Sequence, residues 1–274
     1  MNDYNYHIRA IQVFSPRDPE VIAEKFLCTI DALSGIDPLP GEWGFCGSRT
    51  GWKIENDDIP FEMCTMEEAR PRMAALVREN VKRDDYLQPD PDSGYTLIAS
   101  NTQLGDASSV CLTLGAGAAK PLDNYWRVST GHFPTLADDS ILTYPIFRPL
   151  FLALISNWPC SWACVRGSKN KWKEVPGIIG TAFESTFSHT INWMGYLSAD
   201  ESRGLEPPSE LISERTPDGG LLMLSCEHKP NPTNAEDMRR SQILGELMDL
   251  HYRDQWWPGG KPQGWPTHAL PSNP

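Results

Sequence analysis

Asp218 follows Pro217, and nine residues later Glu227 and Lys229 flank His228. Two carboxylates and a lysine in this order are the residue types with which restriction-type nucleases hold a magnesium ion and orient the attacking water. The segment between them, Leu221–Cys226, reads as a strand that could present them. The spacing is tight for a hairpin that must bring both carboxylates together, and Asp218-Gly219-Gly220 is also an ordinary turn signal. A second metal chemistry would draw on Cys160, Cys164, Cys226 and His228, since thiolate and imidazole are zinc ligands and alternate strand positions share a face. The Cys160–Cys164 spacing is not that of a common zinc knuckle, and core cysteines are the favoured reading. Gly115-Ala116-Gly117-Ala118-Ala119-Lys120 lacks both the Walker spacing and the third glycine of a dinucleotide loop, so a strand-ending turn is expected there. No cofactor is called for.

Charge patterning is more informative. With 36 acidic and 24 basic residues the chain carries a formal charge of −12, which disfavours nucleic acid and anionic membranes and suits a basic protein partner. Glu55, Asp57, Asp58, Glu62, Glu67 and Glu68 lie between Lys53 and Arg70 with no intervening base. Asp84, Asp85, Asp90, Asp92 and Asp106 form a second such run, and Asp200, Glu201, Glu206, Glu210 and Glu214 a third around Arg203. Any one run is most simply a solvated face. Three runs interleaved with Trp43, Trp52 and Tyr86 point toward a protein interface, in which aromatics anchor and charges steer. Arg166, Lys169, Lys171 and Lys173 around Trp172 run the other way and are expected to be a solvated hairpin.

The elements that must carry these residues follow from local signals. Tyr4 to Phe14 reads as an opening strand. Asp18-Pro19 caps a helix with Ile22, Phe26, Ile30 and Leu33 at helical spacing, ended by Gly35. Thr65 and Glu68 have capping-box spacing, and Pro71 places the regular helix near or after it. Tyr95–Ser100, Ser109–Leu114 and Tyr125–Ser129 have connections too short for crossover helices, so they form an antiparallel meander. Tyr144–Trp158 is a buried helix whose start is confined by Pro145 and Pro149. Trp162–Arg166, Trp193–Ser198 and Leu221–Cys226 are further strands. Thr233 with Glu236 opens a last helix carrying Met238, Leu244, Leu247, Met248 and His251.

The sum is an α+β fold, mainly an antiparallel sheet flanked by helices: one domain over residues 1–254, followed by an irregular Trp-, Pro- and Gly-rich tail over 255–274. Met1-Asn2-Asp3-Tyr4 is not the start of a signal peptide, the longest apolar run is too short for a bilayer, and seven scattered cysteines make no disulfide framework. A cytoplasmic protein is expected.

In size, element order and the motifs Asn157-Trp158-Pro159, Trp162-Ala163 and Trp193-Met194-Gly195-Tyr196-Leu197, the chain resembles the immunity protein 52 family of bacterial polymorphic-toxin and type VI secretion systems. The likeness spans most of the chain up to the last helix. It implies an antitoxin that binds and neutralises a cognate toxin, a basic nuclease of the restriction-endonuclease type. Asp57, Asp58, Glu62, Asp84, Asp85, Asp90 and Asp92 would then face the toxin, anchored by Trp43, Trp52 or Tyr86, while Trp158, Trp162, Trp193 and Tyr196 belong to the core. A metal-dependent nuclease and a general scaffold are the other readings.

Overall fold

The computed structural model describes residues 5–11, 13–37, 39, 41–46, 63–102, 106–130, 137–168 and 190–256. The opening strand β1 (Asn5–Ile11) is followed by helix α1 (Pro19–Ser34). The Asp18 carboxylate accepts the backbone N–H groups of Glu20 and Val21, and Gly35 closes the helix, as the cap residues predict. Strands β2 (Gly44–Cys46) and β3 (Met63–Thr65) lead into a broken helical segment. Thr65 and Glu68 form the expected reciprocal capping box for α2 (Met66–Ala69). A 3₁₀ turn containing Pro71 then separates α2 from α3 (Met73–Glu79).

The expected meander is present as β4 (Tyr95–Ser100), β5 (Val110–Ala116) and β6 (Tyr125–Thr130). Helix α4 (Tyr144–Asn157) starts ahead of Pro149 and runs through it. Pro149 lies beyond the first turn, so it forfeits the hydrogen bond to the Pro145 carbonyl and crowds that carbonyl, which the buried apolar packing of α4 must outweigh. Strands β7 (Trp162–Ser168), β8 (Thr190–Leu197), β9 (Ile212–Arg215) and β10 (Leu221–Leu224) precede the last helix, α5 (Ala235–Trp256).

All ten strands join one antiparallel sheet in the order β3-β2-β4-β5-β6-β1-β7-β8-β10-β9. The first strand of the chain thus lies inside the sheet, between β6 and β7. One face is covered by α1, α3 and α4. Tyr6, Phe147 and Trp193 meet there, with Phe147 stacked on Trp193 at 5.1 Å and Tyr6 edge-on to both. Trp158 donates its indole N–H to Thr29 Oγ1 at 2.7 Å, and its carbonyl accepts the Trp126 indole at 3.2 Å, so the polar atoms of this aromatic layer are satisfied.

Helix α5 covers the opposite face of β7, β8 and β10. Its Leu244 and Met248 pack on Ile11, Trp162, Leu197 and Met223. The sheet therefore divides the tryptophans: Trp158 and Trp193 lie in the large core, and Trp162 lies beneath α5, donating to the Met248 carbonyl at 2.9 Å. The Thr233–Glu236 spacing does not act as a capping box. Asn234 Oδ1 accepts from Glu236 and Asp237, and Glu236 instead pairs with Arg239 and Arg240.

The close approach of α5 depends on two glycines. A Cβ on Gly195 would lie 2.5 Å from Met248 Sδ, and one on Gly245 would lie 2.2 Å from Asn192 Nδ2. Asn192 is fixed there by its N–H to Ser241 Oγ at 2.8 Å and its amide to the Ser241 carbonyl at 3.2 Å. In a solvent-facing helix, Gly→Ala is stabilising by about 1 kcal/mol. Here Gly245→Ala should reverse that sign and cost about 1–3 kcal/mol through overpacking, as read from urea midpoints.

Beside α5, the same face carries Arg127 on β6, His7 and Arg9 on β1, and Arg166 on β7. Arg9 is directly opposite Arg127, and His7 is opposite Arg166. Arg166 also reaches Asp249 of α5 at 2.6 Å. Burial, reinforced by the fields of Arg127, Arg166 and Arg9, lowers His7 to about 3. The unfolded chain takes up a proton near pH 6.5 that the folded chain refuses, so stability present above pH 6.5 is lost as pH falls toward 3. Replacing His7 by Gln should flatten the stability–pH curve across that window, by up to about 1.4 kcal/mol per pH unit, in denaturant titrations at stepped pH.

Candidate partner-binding surface

The second acidic run folds into a defined projection. Between α3 and β4 the chain leaves the sheet and returns as a narrow hairpin over residues 81–95. Val81 bridges Tyr95, and Arg83 bridges Pro89. The Lys82 N–H donates to the Gly94 carbonyl, and the Asp90 N–H to the Lys82 carbonyl, each at 2.8 Å. At its base Gly94 has φ +79°, and a Cβ there would lie 2.4 Å from the Ala116 carbonyl oxygen. Only glycine lets the hairpin sit this close to the end of β5.

The tip is organised by one carboxylate. Asp84 Oδ1 accepts the backbone N–H of Tyr86 at 2.9 Å and of Gln88 at 2.8 Å, and the Asp84 N–H donates to the Gln88 carbonyl. Arg83 donates to the Leu87 carbonyl at 2.8 Å. These bonds hold Leu87 at φ +62°, a left-handed conformation that costs a leucine about 1–2 kcal/mol. The result is that Tyr86 and Leu87, 85% and 67% exposed, stand out into solvent side by side. Such a pair is unusual for a surface otherwise this acidic.

The acids of the hairpin thus divide in two. Asp84 and Asp90 work inside it. Asp90 accepts from Ser93 Oγ at 2.5 Å and from the Asp92 N–H, and the Ser93 hydroxyl chiefly holds its pKa below the usual carboxylate range. Asp85 and Asp92 face solvent, with Asp92 in a long 3.7 Å contact to the exposed Arg17.

Other expected site residues are placed differently. Trp43 is 5% exposed in the large core, packed there by the apolar residues of β2 and its neighbours, so it is not a surface anchor. Trp52, Asp57, Asp58 and Glu62, with Lys169, Lys171, Trp172 and Lys173, lie outside the described residues. In the third acidic run, Asp200 pairs with Arg203, Glu201 with His251, Glu210 with Arg239 and Glu214 with Arg148. Three of its five acids thus face an arginine within the fold.

The nuclease constellation is not assembled. Asp218 precedes β10 and Glu227 follows it, so a strand rising about 3.3 Å per residue keeps the two carboxylates apart. Asp218 accepts the Tyr196 hydroxyl at 2.6 Å and the Thr216 hydroxyl at 2.5 Å. Burial opposes its charge, but bonds from Thr216, Tyr196 and Gly220 prevail and lower its pKa. Lys229 pairs with Asp139 at 2.5 Å.

The four-residue zinc grouping is also divided, with Cys160 in the large core and Cys164 under α5. Burial pushes the Cys164 thiol up to about 11 and raises Cys160 further. Cys226 and His228 do come together, but with Asp237 of α5. The spacing from strand end to helix start hid this third residue, because its approach depends on how α5 docks.

No family model and no curated protein matches this chain. No helix among the described residues is long and apolar enough to cross a membrane. The hairpin should lose its shape when Asp84 is replaced by Ala. Amide exchange at Tyr86 and Gln88 should then accelerate, by about tenfold for one lost bond of about 1.4 kcal/mol, with little change in global stability. Asp85→Ala should leave both amides as they are.

Proposed function

We propose that this chain is a cytoplasmic immunity protein of the immunity protein 52 type, which neutralises a basic toxin by binding it through the 81–95 hairpin. The carrying observation is the exposed Tyr86–Leu87 pair, held by Asp84 and adjoined by Asp85, with Asp92 at the base of the same hairpin, in a chain of charge −12. A preorganised aromatic tip loses little entropy on docking and is the kind of residue that dominates binding energy. The acids around it would raise the association rate with a cationic partner and set salt dependence. A nuclease must present a cationic surface to its DNA, so an acidic binder complements that surface and competes with phosphate there. The resemblance supplies the toxin class, a restriction-endonuclease-type DNase delivered by a secretion system. Separation of Asp218 from Glu227 weighs against this chain being itself a nuclease of that design.

The test is affinity capture from the native cell lysate with elution by rising salt, followed by reconstitution with the captured protein. A stoichiometric basic nuclease, silenced on mixing, is the expected outcome. Tyr86→Ala should then weaken binding by about 2 kcal/mol or more, roughly 30-fold, without lowering the melting temperature. Asp85→Asn with Asp92→Asn should act mainly on the association rate and flatten its salt dependence. Unchanged affinity in a Tyr86→Ala, Leu87→Ala double variant would refute the hairpin as the contact. Weak binding to many partners would favour a scaffold instead.

A further inference from the structure

We propose that Cys226, His228 and Asp237 form a binding site for a single borderline divalent cation such as Zn²⁺, tying the end of β10 to the first turn of α5. One potential ligand atom from each residue lies within 4.8 Å of the other two. His228 Nε2 is 3.0 Å from Asp237 Oδ2. Sulfur, imidazole nitrogen and carboxylate oxygen together are a zinc or cobalt donor set, and unlike an all-oxygen cluster they disfavour magnesium and calcium.

Two of the three donors are already fixed. The Trp193 indole donates to the Cys226 carbonyl at 3.2 Å, and the Ser225 N–H donates to the Trp193 carbonyl at 2.9 Å, so the backbone at the cysteine is anchored to β8. Asp237 is buried in the first turn of α5, where its Oδ2 also accepts the Asn231 N–H at 2.9 Å. His228 is the exposed member, with its side chain 63% exposed. Tetrahedral bonds of normal length need ligand atoms roughly 3.4–3.6 Å apart. Rotation of this exposed ring can widen its 3.0 Å spacing to Asp237 and bring the remaining spacings, all within 4.8 Å, into that range.

The same arrangement accounts for the thiol. Cys226 is 3% exposed and now donates to the His228 carbonyl at 3.1 Å, a bond that a neutral thiol makes. On coordination its proton leaves to solvent, and the cation balances both the thiolate and the buried carboxylate. Three protein donors leave a fourth tetrahedral position for water.

The experiment is titration of chelator-treated full-length protein with Co²⁺, followed by displacement with Zn²⁺. One equivalent should bind with thiolate-to-cobalt charge-transfer absorption, and Zn²⁺ in hundredfold excess over its Kd should raise the melting temperature by about 5–10 °C. Cys226→Ser should abolish the charge-transfer band. His228→Ala, an exposed change that leaves the fold intact by circular dichroism, should weaken binding at least tenfold and remove the zinc-dependent thermal shift. Failure to saturate at one equivalent, or binding in Cys226→Ser and His228→Ala that is unchanged from the native protein, overturns the site. This outcome is independent of the hairpin and of any toxin.

Discussion

Everything in this fold depends on β1 being hydrogen-bonded along both edges. Residues 7–11 pair with 125–129 on one side, and residues 5–11 pair with 162–168 on the other. Without that strand, β2 to β6 and β7 to β10 are two separate half-sheets, each with an edge of unsatisfied backbone groups. With it they share one continuous core, in which Phe147 from α4 stacks on Trp193 from β8 and Tyr6 from β1 meets both edge-on. The contact is between parts of the chain more than a hundred residues apart, so its loop-closure cost is met only when both halves are nearly formed. The hairpin over 81–95 and the cluster at Cys226 each grow from a different half, and β1 sets both in one frame.

Local chemistry was largely legible in the sequence. Asp18-Pro19 and Gly35 delimit α1, Thr65 and Glu68 cap α2, and the short connections among β4, β5 and β6 leave no choice but a meander. These signals act within a few residues, where backbone geometry and hydrogen-bond supply decide the outcome. What needed the tertiary structure was every question of side. Trp162 and Trp193 lie on strands that pair with each other, yet they occupy opposite faces of the sheet. Trp43 has the loop-like, Gly-rich surroundings of a surface anchor, but its burial is decided by how β2 joins the edge of β4. Similarly, Thr233 and Glu236 have the spacing of a capping box, but Asn234 competes for the same donors and takes them.

The acidic runs show the same limit. By count alone the third run is nearly as negative as the second, with five acids against one arginine in the third and against none in the second. The fold widens that small difference. Arg148, Arg239 and His251 arrive from helices distant in sequence and meet Glu214, Glu210 and Glu201. Among the described residues no arginine or lysine from elsewhere in the chain pairs with an acid at the tip of the 81–95 hairpin, whose own basic neighbour Arg83 is occupied with the Leu87 carbonyl. Exposed ion pairs contribute little to stability. Their consequence here is for the surface field, which is weakened along α5 and left stronger around Asp85.

A protein this acidic could repel or attract many partners without distinguishing among them, because screened charges act over about a Debye length and carry little shape information. Discrimination needs a short-range element that fits one surface and is held ready for it. Asp84 provides that by a division of labour within a single run of acids. It gives its carboxylate to two backbone N–H groups and so fixes the Tyr86–Leu87 tip, while Asp85 beside it keeps its charge toward solvent. A run of identical residue types therefore combines a rigid apolar contact with a long-range field. The left-handed Leu87 marks where the turn chemistry, rather than the leucine's own preference, determines the backbone.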